Sequence, residues 1–190
     1  MDRLEKYAKE NNIPIMQKEG ITFLTEYIKE NNIKTILELG TAIGYSAIKM
    51  AKVSKDIKIV TIEKDEARYK EAIKNIKKYN TENQIKIIFA DALDTQIQTK
   101  FDLIFIDAAK AQYIKFFEKY KNNLNKNGVI ISDNLDFHGL TAKNVIIKSK
   151  NLRALVRKIN NYKDFLMQNK EFHTEFLHLG DGIAISKKTS

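Results

Sequence analysis

Acidic and amide side chains follow short apolar runs all along this sequence: Glu38, Glu63, Asp91, Asp107 and the pair Asp133-Asn134. Asp107, Asp133 and Asn134 are hard oxygen donors of the kind Mg²⁺ takes, an ion that keeps waters and leaves positions for substrate oxygens. Lys110, three residues past Asp107, would share their rim, and a lysine beside a cation is suited to general-base work. Glu63 is placed to accept from both hydroxyls of a ribose, and Asp91-Ala92 falls where an adenine edge would lie. Any one of these acids could equally be a helix cap, the role expected of Asp65. In series on one rim they would repel one another unless a cation or hydrogen-bond donors lay among them.

Ahead of them runs Ile36–Ser46, I-L-E-L-G-T-A-I-G-Y-S, an apolar strand that passes an acid and a glycine turn into a helix. Such a junction aims backbone N–H groups at whatever sits above the strand end. Gly40 and Gly44 give G-x-x-x-G, without the close glycine pair that admits a pyrophosphate in G-x-G-x-x-G. A nicotinamide dinucleotide is therefore disfavoured. A nucleoside ligand without phosphates fits, and S-adenosyl-L-methionine meets that description. On the glycines alone, a tight turn with no ligand is an equally good account.

The elements that must position these residues alternate along the chain. Patterning predicts strands at Thr35–Leu39, Ile57–Ile62, Gln84–Phe89, Phe101–Ile106 and Val129–Ser132. Helices are predicted over Tyr45–Val53, Asp65–Tyr79 and Ala111–Leu124. Repeated units of this kind imply a Rossmann-like, doubly wound α/β sheet, mostly parallel and seven-stranded, with right-handed crossovers. After a long helix at Asn151–Gln168, Glu171–Leu177 and Ile183–Ser186 flank Gly180-Asp181-Gly182 and should form an antiparallel C-terminal hairpin at the sheet edge. Two helices, Leu4–Asn11 and Lys18–Glu30, precede the sheet and are separated by Pro14, the only proline. One domain is expected over residues 1–190, divided into a helical cover (1–33), a cofactor-binding core (34–134) and a lid, helix and hairpin (135–190). Asp136–Lys150 is the least regular stretch and reads as the lid.

Composition bounds the function. The chain has 190 residues, 43% of them hydrophobic, and no cysteine, which excludes disulfides, thiolate metal sites and cysteine nucleophiles. A charged N-terminus and the lack of a long apolar run predict a soluble, cytoplasmic protein with no membrane partner. The net charge is +9, which favours an anionic partner. Arginine occurs only at Arg3, Arg68, Arg153 and Arg157, and lysine is abundant alongside Asn and Ile, so base composition of the coding sequence could account for much of that charge.

Together E-L-G-T-A-I-G-Y-S, V-T-I-E, A-D-A, F-I-D-A-A-K and S-D-N, with I-P-I-M before and L-G-D-G-I-A-I-S after, resemble the metal-dependent, catechol-type O-methyltransferase family. The likeness runs from about Ile13 to Ser186, and within the family it is nearest to bacterial enzymes that methylate 5-hydroxyuridine at the tRNA wobble position. The resemblance implies S-adenosyl-L-methionine at Met16, Gly40, Ser46, Glu63, Asp91, Ala92 and Asp107, with Glu38, Thr41 and Gly44 in the same turn. It implies Mg²⁺ at Asp107, Asp133 and Asn134, and Lys110 and Asp107 as the catalytic pair. The chain begins close to I-P-I-M, so a shortened cover and a more open rim are expected.

The expected partners are the anticodon loop of a tRNA and, in a homodimer, a second copy of the chain. For the RNA, Lys18, His138, Lys143, Arg153 and Arg157 are candidates, with Lys148 and Lys150 beside them. Tyr113 and Phe137 could stack on a splayed base. Each of these is also read as a solvated basic face or a core aromatic. The alternatives are a small-molecule catechol or phenylpropanoid O-methyltransferase and a non-catalytic RNA-binding protein, the latter disfavoured by intact Asp107, Lys110, Asp133 and Asn134.

Overall fold

The β-branched runs become five parallel strands in a computed structural model that describes residues 3–142 and 145–189. They are β1 (Thr35–Leu39), β2 (Lys58–Glu63), β3 (Ile85–Phe89), β4 (Phe101–Ile106) and β5 (Leu124–Ser132). Two antiparallel strands, β6 (Phe172–Leu177) and β7 (Ile183–Lys188), complete a seven-stranded sheet of order β3-β2-β1-β4-β5-β7-β6. This is the predicted architecture. The strand order reverses between β1 and β4, so that junction is the point above which an open α/β sheet binds ligands.

In the central strands side chains alternate between two cores, as the period-2 geometry of a strand requires, with Phe101 displaced at the irregular start of β4. Ile36, Leu103, Phe105 and Ile131 pack with Leu24 and Ile28 of α2 (Lys18–Glu30) and Ile48 of α3 (Tyr45–Ala51). Leu37, Ile104, Ile106 and Ile130 pack on the opposite face with Phe117 of α5 (Tyr113–Tyr120) and with Ile159 and Tyr162 of α6 (Lys150–Gln168). The helices α1 (Arg3–Glu10) and α4 (Glu66–Lys78) complete the set. Asp65 caps α4 by accepting from the Arg68 N–H at 2.9 Å, as predicted.

Boundaries differ where local chemistry overrides pattern. The helix predicted over Ala111–Leu124 is an α-helix only in its middle, with 3₁₀ turns at Lys110–Gln112 and Lys121–Asn123. Strand β5 starts at Leu124, and its register against β4 shifts so that Leu103 pairs with Val129 after Phe101 pairs with Leu124. Gly128 sits inside that irregularity, where an added Cβ would lie 3.0 Å from the Phe101 carbonyl oxygen. The described residues of Asp136–Lys150 hold no helix or strand before Lys150, and Lys143 lies outside the described residues. Among the described residues no helix is long and apolar enough to cross a membrane.

At the opposite end of the sheet, Asp102 ties three strand starts together. One carboxylate oxygen accepts from the Lys34 and Thr35 N–H groups at 3.0 and 2.9 Å and from Thr35 Oγ1 at 3.0 Å; the other accepts from Asn125 Nδ2 at 2.7 Å. Burial alone would raise its pKa, but the hydrogen bonds outweigh it and hold the group below the usual carboxylate range. A lowered folded-state pKa contributes stability at neutral pH that is lost as pH falls through that pKa. Asp102→Ala is therefore expected to cost about 2 kcal/mol in urea unfolding at pH 7, with the gap from wild type narrowing at strongly acidic pH.

Candidate active site

Adjacent strand ends are joined by backbone bonds into a continuous rim. Gly40 N–H donates to Ile62 O at 3.0 Å, Asp107 N–H to Leu39 O at 3.0 Å, Asp133 N–H to Ile106 O at 3.1 Å and Ala90 N–H to Glu63 O at 3.0 Å. The rim bounds a cavity of about 780 Å³.

The glycine turn divides into groups that face this cavity and groups that lie beneath it. Gly40 holds φ +94°, and a Cβ there would meet the Asp107 carbonyl oxygen at 2.2 Å, so only glycine lets the ends of β1 and β4 close up. Gly40 and Ala42 line the cavity. Ala42 has φ +46° and is held by its N–H donating to Glu63 Oε2 at 2.9 Å. Gly44 (φ +85°) faces Ala72 of α4 at 3.6 Å, so its backbone conformation, not lack of space, selects glycine.

Glu38 is fully buried under the turn. It accepts from Ser46 Oγ at 2.5 Å and from Thr61 Oγ1, and the hydroxyls of Thr61 and Thr41 are 2.6 Å apart. Burial pushes its carboxyl up to about 7, against the opposing pull of those two hydroxyl bonds. Glu38, Thr41, Gly44 and Ser46 thus form the support of the turn and do not line the cavity. Met16 is buried as well and borders a smaller adjoining recess together with Lys18 and Tyr45.

Glu63 and Asp91 both cap their own chain and face the cavity. Glu63 accepts from the N–H groups of Ala42, Lys64 and Asp65, which leaves one of roughly four carboxylate acceptor positions for a further donor. Asp91 accepts from the Leu93 N–H at 2.8 Å and from Lys64 Nζ at 3.4 Å, and these bonds hold it below the usual carboxylate range. Ala92 and Ile62 add apolar surface nearby, which suits a purine. A cavity lined by a glycine turn and by carboxylates that can accept from hydroxyl and amine groups fits S-adenosyl-L-methionine.

Asp107, Asp133 and Asn134 converge at the other side of the switch point. Asn134 Nδ2 donates to Asp107 Oδ1 and to Asp133 Oδ2, each at 3.1 Å, and a positive φ of +68° folds Asn134 back over the pair. Burial pushes Asp133 up to about 8, with the Asp107 charge adding to it. Burial also raises Asp107, with Lys110 opposing. Two neighbouring carboxyls, Asp133 buried and Asp107 half-buried, bridged by one amide resist carrying two negative charges unaided, and the donor set fits a divalent cation once the amide presents its oxygen. Lys110 lines the same cavity, with Nζ 5.5 Å from the centroid of the Phe137 ring.

The residues considered for RNA are scattered. Tyr113 is buried, donates to Asp133 O at 3.1 Å and packs edge-on against Tyr162, so it is a core side chain and offers no stacking face. Arg153 donates to the Ile147 and Lys148 carbonyls, both at 2.7 Å, fastening the entry to α6. Lys18, Arg153 and Arg157 lie outside the main cavity, whereas Phe137 and His138 line it.

The family model described as O-methyltransferase matches residues 1–189. The chain belongs to that family. This methyltransferase is 40% identical to the structure named "putative caffeoyl-CoA O-methyltransferase from Staphylococcus aureus", with a TM-score of 0.94 over 98% of this chain and 90% of that one. It is 28% identical to a caffeoyl-CoA O-methyltransferase of Populus kitakamiensis over 97% of this chain and 82% of the relative. An O-methyltransferase of Bacillus cereus, solved in complex with SAH, is 25% identical, with a TM-score of 0.82 over 97% and 88% of the two chains. Sequence reasoning passed over Lys9, Asn12, Arg68 and Asp181, which also line the cavity of the methyltransferase. Only Asp181 carried a signal, its two flanking glycines.

Proposed function

We propose that this protein is an S-adenosyl-L-methionine- and divalent-metal-dependent O-methyltransferase acting on one of two adjacent oxygens of a small catechol- or phenylpropanoid-type substrate. The convergence of Asp107, Asp133 and Asn134 beside the Gly40 turn and Lys110 carries this reading. The names of the caffeoyl-CoA relatives support the small-molecule substrate.

When bound, S-adenosyl-L-methionine supplies an electrophilic sulfonium methyl, and a divalent cation held by Asp107, Asp133 and Asn134 supplies Lewis acidity toward the substrate hydroxyl. Glu63 would accept from a ribose hydroxyl and Asp91 from the adenine amine, and the Gly40 turn would hold the methionine end. Lys110 Nζ takes the substrate hydroxyl proton as the oxygen becomes nucleophilic. The Phe137 ring, 5.5 Å from Lys110 Nζ, forms one side of that position.

A second reading, 5-hydroxyuridine at the wobble position of tRNA, is favoured by Lys9, Lys64 and Arg68 around the same cavity and by the net charge of +9. The 5-hydroxyl and 4-carbonyl of that base form an oxygen pair shaped like a catechol. Purified protein should be assayed by mass spectrometry with 3,4-dihydroxybenzoate and with 5-hydroxyuridine tRNA, each with Mg²⁺ and with EDTA. The small-molecule reading expects mono-methylated dihydroxybenzoate that disappears with EDTA. A kcat/KM for tRNA about 100-fold higher would replace it by the second reading, and EDTA-resistant turnover would overturn the metal assignment.

A further inference from the structure

The parallel strands all point their ends at the functional rim, so a turn that precedes a parallel strand lies at the far side of the sheet. β7 runs the other way. Ala184 of β7 pairs with Ser132 of β5, and the turn Gly180-Asp181-Gly182 is thereby delivered beside the residues that follow Asp133-Asn134.

The two segments are stitched residue by residue. Leu135 N–H donates to Gly182 O at 3.0 Å, and Asp136 and Phe137 N–H donate to Asp181 O at 2.6 and 3.3 Å. His138 N–H donates to Asp181 Oδ1 at 3.1 Å, and His138 Nδ1 lies 3.0 Å from the same oxygen. Gly182 (φ +84°) permits the approach, since a Cβ would sit 2.6 Å from the Asp136 nitrogen. The loop needs such support. Asn134, Phe137 and His138 hold φ of +68°, +44° and +56°, conformations that cost non-glycine residues about 1 kcal/mol or more each and persist only when the surroundings over-determine them.

We infer that Asp181 is a positioning residue of this site: its backbone carbonyl holds the Asp136 and Phe137 amides, its side chain fastens the end of the loop at His138, and together they keep Phe137 beside Lys110 in the loop that follows Asn134. The inference rests on the function proposed above for its effect on turnover, but its effect on the loop is independent of that reading. Asp181 itself touches no reacting atom in this scheme; it acts through the loop.

The test compares the 190-residue wild type with Asp181→Ala, Asp181→Asn and Asp181→Leu. Amide hydrogen exchange of residues 135–138, Mn²⁺ affinity by paramagnetic resonance, SAH affinity by calorimetry, and KM and kcat with the probe accepted above are measured. Asp181→Ala should speed exchange of the His138 amide about tenfold, with smaller effects at residues 135–137, weaken Mn²⁺ about tenfold, and raise KM more than it lowers kcat, with SAH affinity within about threefold. Asp181→Asn keeps an oxygen for the His138 N–H and should stay within about threefold of wild type throughout. Unchanged exchange and Mn²⁺ affinity in Asp181→Ala, or an asparagine variant as impaired as alanine, overturns the inference. Were Asp181→Ala unable to fold, Asp181→Leu, which keeps the shape of the side chain without an acceptor, decides. Faster exchange at His138 then supports the anchor, and unchanged exchange overturns it. A wild type inert on both probes would defeat the proposed function alone, and the exchange and Mn²⁺ measurements would still settle the role of Asp181.

Discussion

Asp133→Asn should reduce methyl transfer by about 100-fold or more while raising the melting temperature of the metal-free protein at pH 8 by about 2–4 °C. Both effects come from one buried carboxyl. Asp133 sits 2% exposed beside Asp107, and folding lifts its pKa from 3.8 to about 8. A carboxyl whose folded-state pKa is raised binds a proton more tightly in the native state than in the unfolded chain. Stability is therefore lost as pH rises from about 4 to about 8, and the full penalty is felt above that range. Asparagine carries no charge, so the variant and wild type should melt alike near pH 4 and diverge toward pH 8. Thermal unfolding in EDTA at both pH values, with SAH calorimetry alongside, measures this. An equal gap at both pH values would refute the electrostatic account, and loss of SAH binding in step with turnover would refute the assignment of Asp133 to the metal.

Gly40→Ala should be the more damaging of two substitutions that look equivalent in sequence. Its Cβ would lie 2.2 Å from the Asp107 carbonyl oxygen, and neither backbone can yield, because Gly40 N–H is bonded to Ile62 O and Asp107 N–H to Leu39 O. The cost is expected to reach about 3 kcal/mol or more, with SAH affinity falling about tenfold in whatever folds. Gly44→Ala meets only ordinary contact at 3.6 Å and should cost about 1 kcal/mol, the strain of its positive φ. Urea unfolding of the pair distinguishes the cases, and equal losses would show that close approach of β1 to β4 is not what selects Gly40.

The strand ends were legible because an acid after a β-branched run lands on the same rim wherever the units repeat. That logic placed Glu63, Asp91, Asp107, Lys110 and Asn134 around one cavity from spacing alone. It could not separate facing from supporting residues in the glycine turn. β1 is buried on both faces, so its apolar pattern is silent on which way Glu38 points, and only the structure shows Ser46 and Thr61 closing on it. Tyr113 was open to two readings, a stacking ring or a core aromatic, and the structure shows the second, with Tyr162, far along the chain, packed on its ring. Asp181 was taken for a hairpin turn and nothing more. Its partners lie more than 40 positions away, brought close by an antiparallel strand whose place in the sheet no local pattern encodes.

That antiparallel strand also imposes an order of assembly. As the chain is synthesised, β1 to β5 can pair before the hairpin exists, leaving Val129–Ser132 of β5 as an unpaired apolar edge until residues through Lys188 have emerged. The loop that carries Asn134 gains its anchor at the same moment. Closure of the sheet and maturation of the site are one event, so a nascent chain stalled before the hairpin would be both idle and sticky.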